Sequence, residues 1–539
     1  MGHAEASGAA NGHVAIVLHA HLPFVRHPEH ERHLEERWLY EALIECYLPL
    51  LDVFDRLAGE GVGFEATMTV TPPLAAMLSD AMLRRRFDAH LARLEALAEK
   101  EMVRLYGDSR FAPLATFYRH ELARIRSIWE RHGGNVLAGL VAHWDAGRLE
   151  LITCSATHCY LPAMVPAREG VRPQLELGFR AFETLVGRRP EGAWLAECAY
   201  HPTLDAEMAR AGMRFTVLDS HGLDLARPRP PFGVHAPIAS PNGVAFFARD
   251  AESSRQVWSR EEGYPGDFVY RDFYRDIGFD LDEEHLYGEV GPHGTRLMTG
   301  LKYYRITGKT DHKEHYQPSA AAARAREHGR HFAASRIAQV KDLAHRVPHP
   351  IVVSPYDAEL FGHWWFEGPV FLESVFRELH ARRGDGVTAI NLRSYLERYP
   401  AIVSATPAAT SWGAGGYGAV WVGAEAAWSW RHVHHATRYA KFLVEQHRGD
   451  GGLRGRALDQ LIRELLLLQS SDWNFIIKTG TSMKYAEARI RAHVHRLRHL
   501  GHLVETGVIE GEDAAWLDDV CARDNFLWQL SGSGLRDVF

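Results

Sequence analysis

Paired cysteines are missing from this chain. Its five, Cys46, Cys154, Cys159, Cys198 and Cys521, are odd in number and scattered, with no Cys-x-x-Cys among them. That argues against a disulfide framework or a zinc ribbon and predicts reduced thiols in a cytoplasmic setting. Long apolar runs are missing too, since none approaches the roughly 20 residues of a membrane span. Residues 1–12 are small and polar, which predicts a disordered tail rather than a signal peptide. Ala6 stands where a myristoylation signal has Ser or Thr. An excess of positive charge is also lacking: the formal net charge of −7 speaks against a polyanionic partner such as nucleic acid and fits an uncharged substrate. No internal repeat is found.

What is present is ordinary globular composition, with 46% apolar and 24% charged residues. At 539 residues the chain exceeds one simple core, so one large domain with additions, or two to three domains, is expected. Short aliphatic runs recur at 14–18, 64–70, 149–154, 192–195, 214–218, 244–248, 350–353 and 387–390. Helical patterns such as 36–58 and 173–185 separate many of them. That alternation implies a parallel sheet with right-handed crossovers, and this many strands suggests a barrel. Residues 73–148 read as an inserted helical subdomain, and 223–243, rich in Pro and Gly, as an active-site loop. From Ser411 the strand signal fades, and 424–446, 457–469 and 482–500 read as amphipathic helices of a C-terminal helical domain. The expected division is a barrel over 13–410 and a helical domain over 411–539.

Polar residues follow several of these runs directly: His19, His158, Glu197, Asp219 and Asp357. Active sites of parallel barrels gather at such strand ends. Two stretches stand out, Trp194-Leu-Ala-Glu197-Cys-Ala-Tyr200 and Ser354-Pro-Tyr-Asp357-Ala-Glu-Leu-Phe-Gly-His363-Trp364-Trp365. Each sets a carboxylate among aromatic side chains, where an acid is costly to bury unless it is used. Two such acids in one cleft suggest glycosidic-bond chemistry. The bland readings are an ion pair for Glu197 and a helix N-cap for Asp357. Glu359 is a rival for the catalytic role, but a structural ion pair is expected for it. His19 and His21 form a His-x-His that would also suit a zinc-dependent hydrolase; without a second cluster of ligand spacing, hydrogen bonding is preferred. Trp258, Trp364, Trp365, Trp412 and Trp473 are candidate sugar platforms, because indole faces pack on the C–H faces of pyranose rings.

At these residues the chain resembles glycoside hydrolase family 57, and within it the 1,4-α-glucan branching enzymes. The matching motifs are His19-Ala-His21-Leu-Pro-Phe24, Ala156-Thr-His158, Trp194-Leu-Ala-Glu197-Cys-Ala-Tyr200, Gln256-Val-Trp258-Ser, Gly263-Tyr-Pro-Gly266, the Asp357 block, Ser411-Trp412-Gly and Ser471-Asp472-Trp473. They run in order from about residue 13 to about 500. The resemblance implies an α/β fold, an incomplete (β/α)7 barrel with an inserted helical subdomain and a C-terminal helical domain. It implies a retaining mechanism with Glu197 as nucleophile and Asp357 as general acid/base. His19 and His158 would line the subsite of cleavage, and Trp258, Trp412 and Trp473 would hold the glucan. His21, His363, Trp364 and Asp472, within the same motifs, are further expected substrate contacts. No metal or organic cofactor is implied, and the expected partner is an α-glucan such as amylose or glycogen.

Two departures from the family pattern stand out. Family branching enzymes carry a tyrosine near the tip of the loop before the Gln256 segment, where its phenol favours transfer over hydrolysis. Here the loop reads Pro231-Phe232-Gly-Val-His235-Ala-Pro237, and neither Phe232 nor His235 is tyrosine. His235 remains able to contact an acceptor. Ala196 replaces the usual proline before Glu197. The expected activity is thus cleavage of α-1,4 bonds with formation of α-1,6 branches, as in glycogen biosynthesis. The alternatives are an α-amylase-like hydrolase, a metal-dependent hydrolase using His19 and His21, and a non-catalytic glucan binder.

Overall fold

The structure, a computed structural model, describes residues 12–539 apart from 260–261, 287 and 292–293. The expected N-terminal tail lies outside the described residues except Gly12, which already belongs to the first strand. Among the described residues ten strands form: β1 Gly12–Ala20, β2 Ala66–Val70, β3 Leu149–Cys154, β4 Ala193–Trp194, β5 Phe215–Leu218, β6 Ile238–Ala239, β7 Ala245–Ala248, β8 Ile351–Asp357, β9 Val387–Ala389 and β10 Val403–Ser404. One sheet runs β4-β3-β2-β1-β8, all parallel. A second runs β10-β6-β7-β5, with β5 and β7 parallel. Single parallel bridges, Gly192 to Phe215 and Arg249 to Val353, join the two sheets at both seams. Seven parallel strands therefore ring a barrel that is fully laddered only along part of its wall. The eighth expected strand, β9, pairs with Gly12–Val14 at the entry end of β1 and stands outside that ring.

Alternation along β1 shows why the runs read as continuous apolar sequence. Val14, Ile16, Leu18 and Ala20 face the core beneath the surrounding helices. Ala15 and Val17 meet Ile152, Cys154, Trp194, Val217, Phe247 and Val353 in a second core inside the barrel. Strands buried on both faces lose the polar face of an exposed sheet. His19 continues the inward series of β1 at the end where the chain leaves the strand.

Helices Pro72–Ser79, Ala81–Arg104, Ala112–Arg131 and Val136–Asp145 lie between β2 and β3. Past β10 come Ala427–His447, Gly452–Leu468, Ser471–Thr479, Met483–Thr506 and Gly511–Arg523, a C-terminal helical domain. The loop over 223–243 is more structured than composition suggests, since β6 within it pairs antiparallel with β7 and carries β10 on its other edge.

The helix expected over 36–58 is interrupted. Arg37–Ala42 and Leu48–Gly59 flank a π-turn, Leu43–Tyr47. Pro49 has no amide proton, so the carbonyl of Glu45 is left without its ordinary i+4 donor. Against that carbonyl packs Gly362 of the segment after β8, at φ +124°, where a Cβ would fall 1.7 Å from the Glu45 oxygen. Only glycine fits both the backbone angle and the approach. Wide turns of this kind favour functional sites, and here the turn delivers Glu45 and Tyr47 to the chain that follows Asp357.

Candidate active site

Asp357 is the last residue of β8 and pairs in register with His19 of β1. It precedes the short turn Ala358–Leu360, but its carboxylate accepts no capping hydrogen bond, so the N-cap reading fails. Glu197 stands just past β4 in the left-handed region, φ 65° and ψ 24°. Cys198 (φ 49°) and His158 (φ 56°) are left-handed too. Non-glycine residues held there store of order 1–3 kcal/mol each, a strain that concentrates at functional sites. The turn is fixed from outside: the Trp412 amide donates to the Glu197 carbonyl at 2.8 Å.

The Glu197 side chain is held by two donors from the far end of the sequence. The indole Nε1 of Trp412 donates to Oε2 at 2.8 Å, and the Ser471 hydroxyl donates to Oε1 at 3.3 Å. Burial raises Glu197 to about 7, and the Trp412 bond is the largest influence pulling it back. Asp357 is raised well above the ordinary carboxylate range, by burial first and then by the charges of Glu359 and Glu197. No donor to its side chain among the described residues offsets these. The pair therefore contains one carboxyl prepared to be ionised and one prepared to hold its proton.

Three histidines complete this face. His19 Nε2 lies 3.0 Å from His158 Nε2, and His158 Nδ1 lies 3.0 Å from Ser471 Oγ. Burial holds both rings well below their ordinary pKa, so both are neutral. Since Ser471 donates to Glu197, it accepts from His158 Nδ1–H, and His158 Nε2 then accepts from His19 Nε2–H. The series is polarised, each donor pointing toward Glu197. His21 behaves otherwise. Burial opposes its charge, but Asp472 at 2.9 Å outweighs it and raises the pKa, with Glu359 and Glu197 adding to the effect. His21 Nδ1 bonds Thr71 at 2.9 Å.

His19, His21, His158, Trp412 and Asp472 gather around this centre, and Trp258 joins it through Trp412. His19 stacks on Trp194 with centroids 4.7 Å apart, Trp194 meets Trp412 edge-on at 5.1 Å, and Trp412 meets Trp258 edge-on at 6.1 Å. Trp258 is partly exposed at the end of helix Ala251–Trp258. His363 bonds Glu45 at 2.8 Å, and exposed Trp364 stacks on Phe273 at 4.7 Å. His235 is half-buried on the turn Gly233–His235, which packs against β8 and β7. Three expectations need correction. Trp473 is 1% exposed, donates to the Leu467 carbonyl and packs beside Tyr485 and His493, so it fills the core and offers no sugar platform. Trp365 is likewise buried, against Tyr270 and Phe371. Glu359 is not turned away: it accepts from the His21 amide at 3.1 Å and from the Tyr47 hydroxyl, and it presses on Asp357 electrostatically. Tyr200, an aromatic neighbour of Glu197 in sequence, packs on Phe246 in the outer core.

Ser471, Tyr47 and Glu45 were not foreseen as site residues, and Glu359 was foreseen only as a rival for the catalytic role. Ser471 was within reach, standing beside Asp472, whereas the π-turn pair was signalled only by Pro49. As for a metal, His19 and His21 do not converge on one point, because His19 Nε2 bonds His158 and His21 Nε2 bonds Asp472. In this region the described residues with ligand spacing are His21, His158 and Asp472, whose atoms lie within 4.8 Å of one another. Every one of those atoms already has a protein partner that a cation would have to displace.

The family model for glycosyl hydrolase family 57 matches residues 15–402. The chain belongs to that family. A model for the C-terminal part of 1,4-alpha-glucan branching enzymes matches residues 432–532. A 1,4-alpha-glucan branching enzyme of Thermococcus kodakarensis is 32% identical over 95% of this chain and 77% of its own length. A crystal structure of an alpha-amylase from Thermotoga maritima superposes with a TM-score of 0.90 at 37% identity, covering 97% of this chain and 99% of that one. A family 57 branching enzyme from Pyrococcus horikoshii superposes at 0.86 and 30% identity, with 97% of each chain covered.

Proposed function

We propose that this family 57 chain is a retaining α-glucan transglycosylase that cleaves α-1,4 bonds and forms α-1,6 branches. The observation that carries the reading is the unequal treatment of two largely buried carboxyls at the C-terminal ends of strands β4 and β8 of one barrel. Glu197, supplied with donors, attacks the anomeric carbon and holds the glucosyl unit as an ester. Asp357, kept protonated by burial and by two neighbouring charges, gives its proton to the departing oxygen, then takes one from the incoming hydroxyl. Retention asks for roughly 5–5.5 Å between such carboxyls. The polarised series His19, His158, Ser471 keeps hydrogen density on Glu197, which stabilises the carboxylate before attack and again as it departs. His21, charged beside Asp472, adds a positive field across the same gap.

Under this reading 13–410 is the catalytic unit and 411–539 its helical cover. The substrate is amylose or glycogen in a cytoplasmic pathway of glycogen synthesis. The branching-enzyme relatives and the match over 432–532 support branching. A hydrolytic outcome has its own support, from the amylase neighbour and from the loop tip, where Phe232 and His235 stand in place of a phenol. Linkage analysis of amylose incubated with the enzyme, beside a Glu197→Gln control, separates the two. Branching yields new α-1,6 linkages that the control lacks, whereas reducing ends without branches assign the chain to hydrolysis. Activity that disappears with a chelator and returns with zinc would overturn the carboxylate mechanism.

A further inference from the structure

Far from the catalytic mouth, the C-terminal helical domain carries a cleft of about 470 Å³ between the start of helix Gly452–Leu468 and the segment 521–536. Its size falls in the range of small-ligand sites. Trp528 lines it and is 66% exposed, the most exposed tryptophan among the described residues. Exposed Trp364 stacks on Phe273, but the Trp528 indole has no ring or hydrogen-bond partner among the described residues. Beside it the Asn525 amide and the Ser531 hydroxyl are also without side-chain hydrogen bonds among the described residues. The helix begins at Gly451 without a side-chain cap, leaving backbone donors at the cleft.

The charges around this cleft are largely spent on one another. Arg536 pairs with Asp459 at 2.7 Å, Arg454 with Asp450 at 3.1 Å, and Arg456 with Asp518. Arg463 is buried and bonds only neutral acceptors, the Leu530 carbonyl and Gln460. What remains open is an indole face and neutral hydrogen-bonding groups, a combination suited to an uncharged polyhydroxyl ligand. The helix also links this place to the active centre. At about 1.5 Å per residue its 17 residues span roughly 25 Å. Its far end bonds Thr157 through the Leu466 carbonyl and leads directly to Ser471 and Asp472.

We propose that the Trp528 cleft is a second α-glucan-binding site, which holds a polymer at a point distant from the bond being cut. This rests on the reading of the chain as an α-glucan enzyme. Holding one part of a long chain raises the effective concentration of another part at the catalytic mouth, a gain that short substrates cannot share.

The test compares the full-length protein with Trp528→Ala and Trp528→Phe. The measurements are retardation in glycogen-containing native gels, KM and kcat on amylose, and rates on a malto-oligosaccharide too short to span the helix. Loss of the indole is expected to weaken retardation and raise KM for amylose about fivefold. The kcat and the short-substrate rate should hold, and phenylalanine should retain most of the binding. Unchanged retardation by the alanine variant, in an enzyme that does act on amylose, overturns the cleft alone. Inactivity of the wild type on every α-glucan brings down both readings. A changed oligomeric state on size-exclusion chromatography reassigns the face to contact between copies. Calorimetric binding of inorganic phosphate that Arg463→Leu abolishes, with glucan affinity intact, reassigns it to an anion.

Discussion

Glu197 leaves β4 on a left-handed turn and collects two hydrogen-bond donors, whereas Asp357 ends β8 in extended backbone and collects none. Burial raises both, yet only Glu197 is pulled back. Two acids of similar chemistry at similar places in a sheet thus acquire different protonation states from their neighbours alone. The donors come from 215 and 274 residues away, so the helical part of the chain, not the barrel, makes the two acids unlike.

The sharpest way to break this comparison is to neutralise Glu197. Glu197→Gln is expected to lower kcat on amylose by at least about 10⁴, since the covalent route is lost. The same change should stabilise the fold at alkaline pH. The folded pKa of Glu197, about 7, lies above its ordinary 4.5, so the native state binds this proton more tightly than the unfolded chain. The favourable term is complete below about pH 4.5 and is lost as pH rises through about 7. The amide removes that loss, worth up to about 3 kcal/mol. A rise in Tm at pH 8 that vanishes near pH 4.5 is the expected observation; an unchanged Tm at pH 8 would show that Glu197 is not strained by burial.

Neutralising the other acid should give a different signature. Asp357→Asn is expected to lower kcat by about 10²–10⁴, the range of a lost general acid. The alkaline limb of the kcat/KM profile, set by deprotonation of Asp357, should disappear with it, while the acid limb near pH 7 remains. An acid limb that vanished instead would exchange the two roles.

A smaller effect sharpens the contrast. Trp412→Phe keeps a ring but deletes the donor, so the acid limb should move up by about one pH unit and kcat/KM at pH 6 should fall about tenfold. Ser471→Ala, which breaks a longer bond, should move the limb in the same direction by less. It also leaves the buried His158 Nδ1–H without an acceptor, at a stability cost of about 1–3 kcal/mol. Ser471→Thr should restore the limb, an outcome that a purely structural serine does not require.

These effects also mark where sequence reading stops. Polar residues ending apolar runs located His19, His158, Glu197 and Asp357, because strand and loop are local events. What makes those residues unequal is the arrival of Trp412 and Ser471, and no periodicity encodes contacts across more than two hundred residues. Trp473 went wrong for the opposite reason. It shares a buried face with Ile476 and Ile477, at the i, i+3, i+4 spacing of a core stripe, a local pattern that prevails over its place in the Ser471-Asp472-Trp473 motif. The inward Glu359 and the π-turn that meets it depend on Pro49 and Gly362 acting together, a pairing visible only once the chain is folded.

The last test concerns product rather than rate. The turn Gly233–His235 packs on β8, the strand that ends in Asp357, and belongs to the loop expected to meet the acceptor that replaces the leaving group. Transfer exceeds hydrolysis only if a sugar is held there while water is kept out. A phenol supplies an apolar face and a hydroxyl in one rigid group, whereas His235 is a smaller ring whose buried Nδ1 has no hydrogen-bond partner among the described residues. His235→Tyr is therefore expected to raise the ratio of new α-1,6 linkages to new reducing ends about two- to fivefold, equivalent to under about 1 kcal/mol, with total turnover little changed. A ratio that stays fixed in both His235→Tyr and Phe232→Tyr would mean that the fate of the glucosyl ester is decided by other cover, and the helices past residue 411 become the place to look.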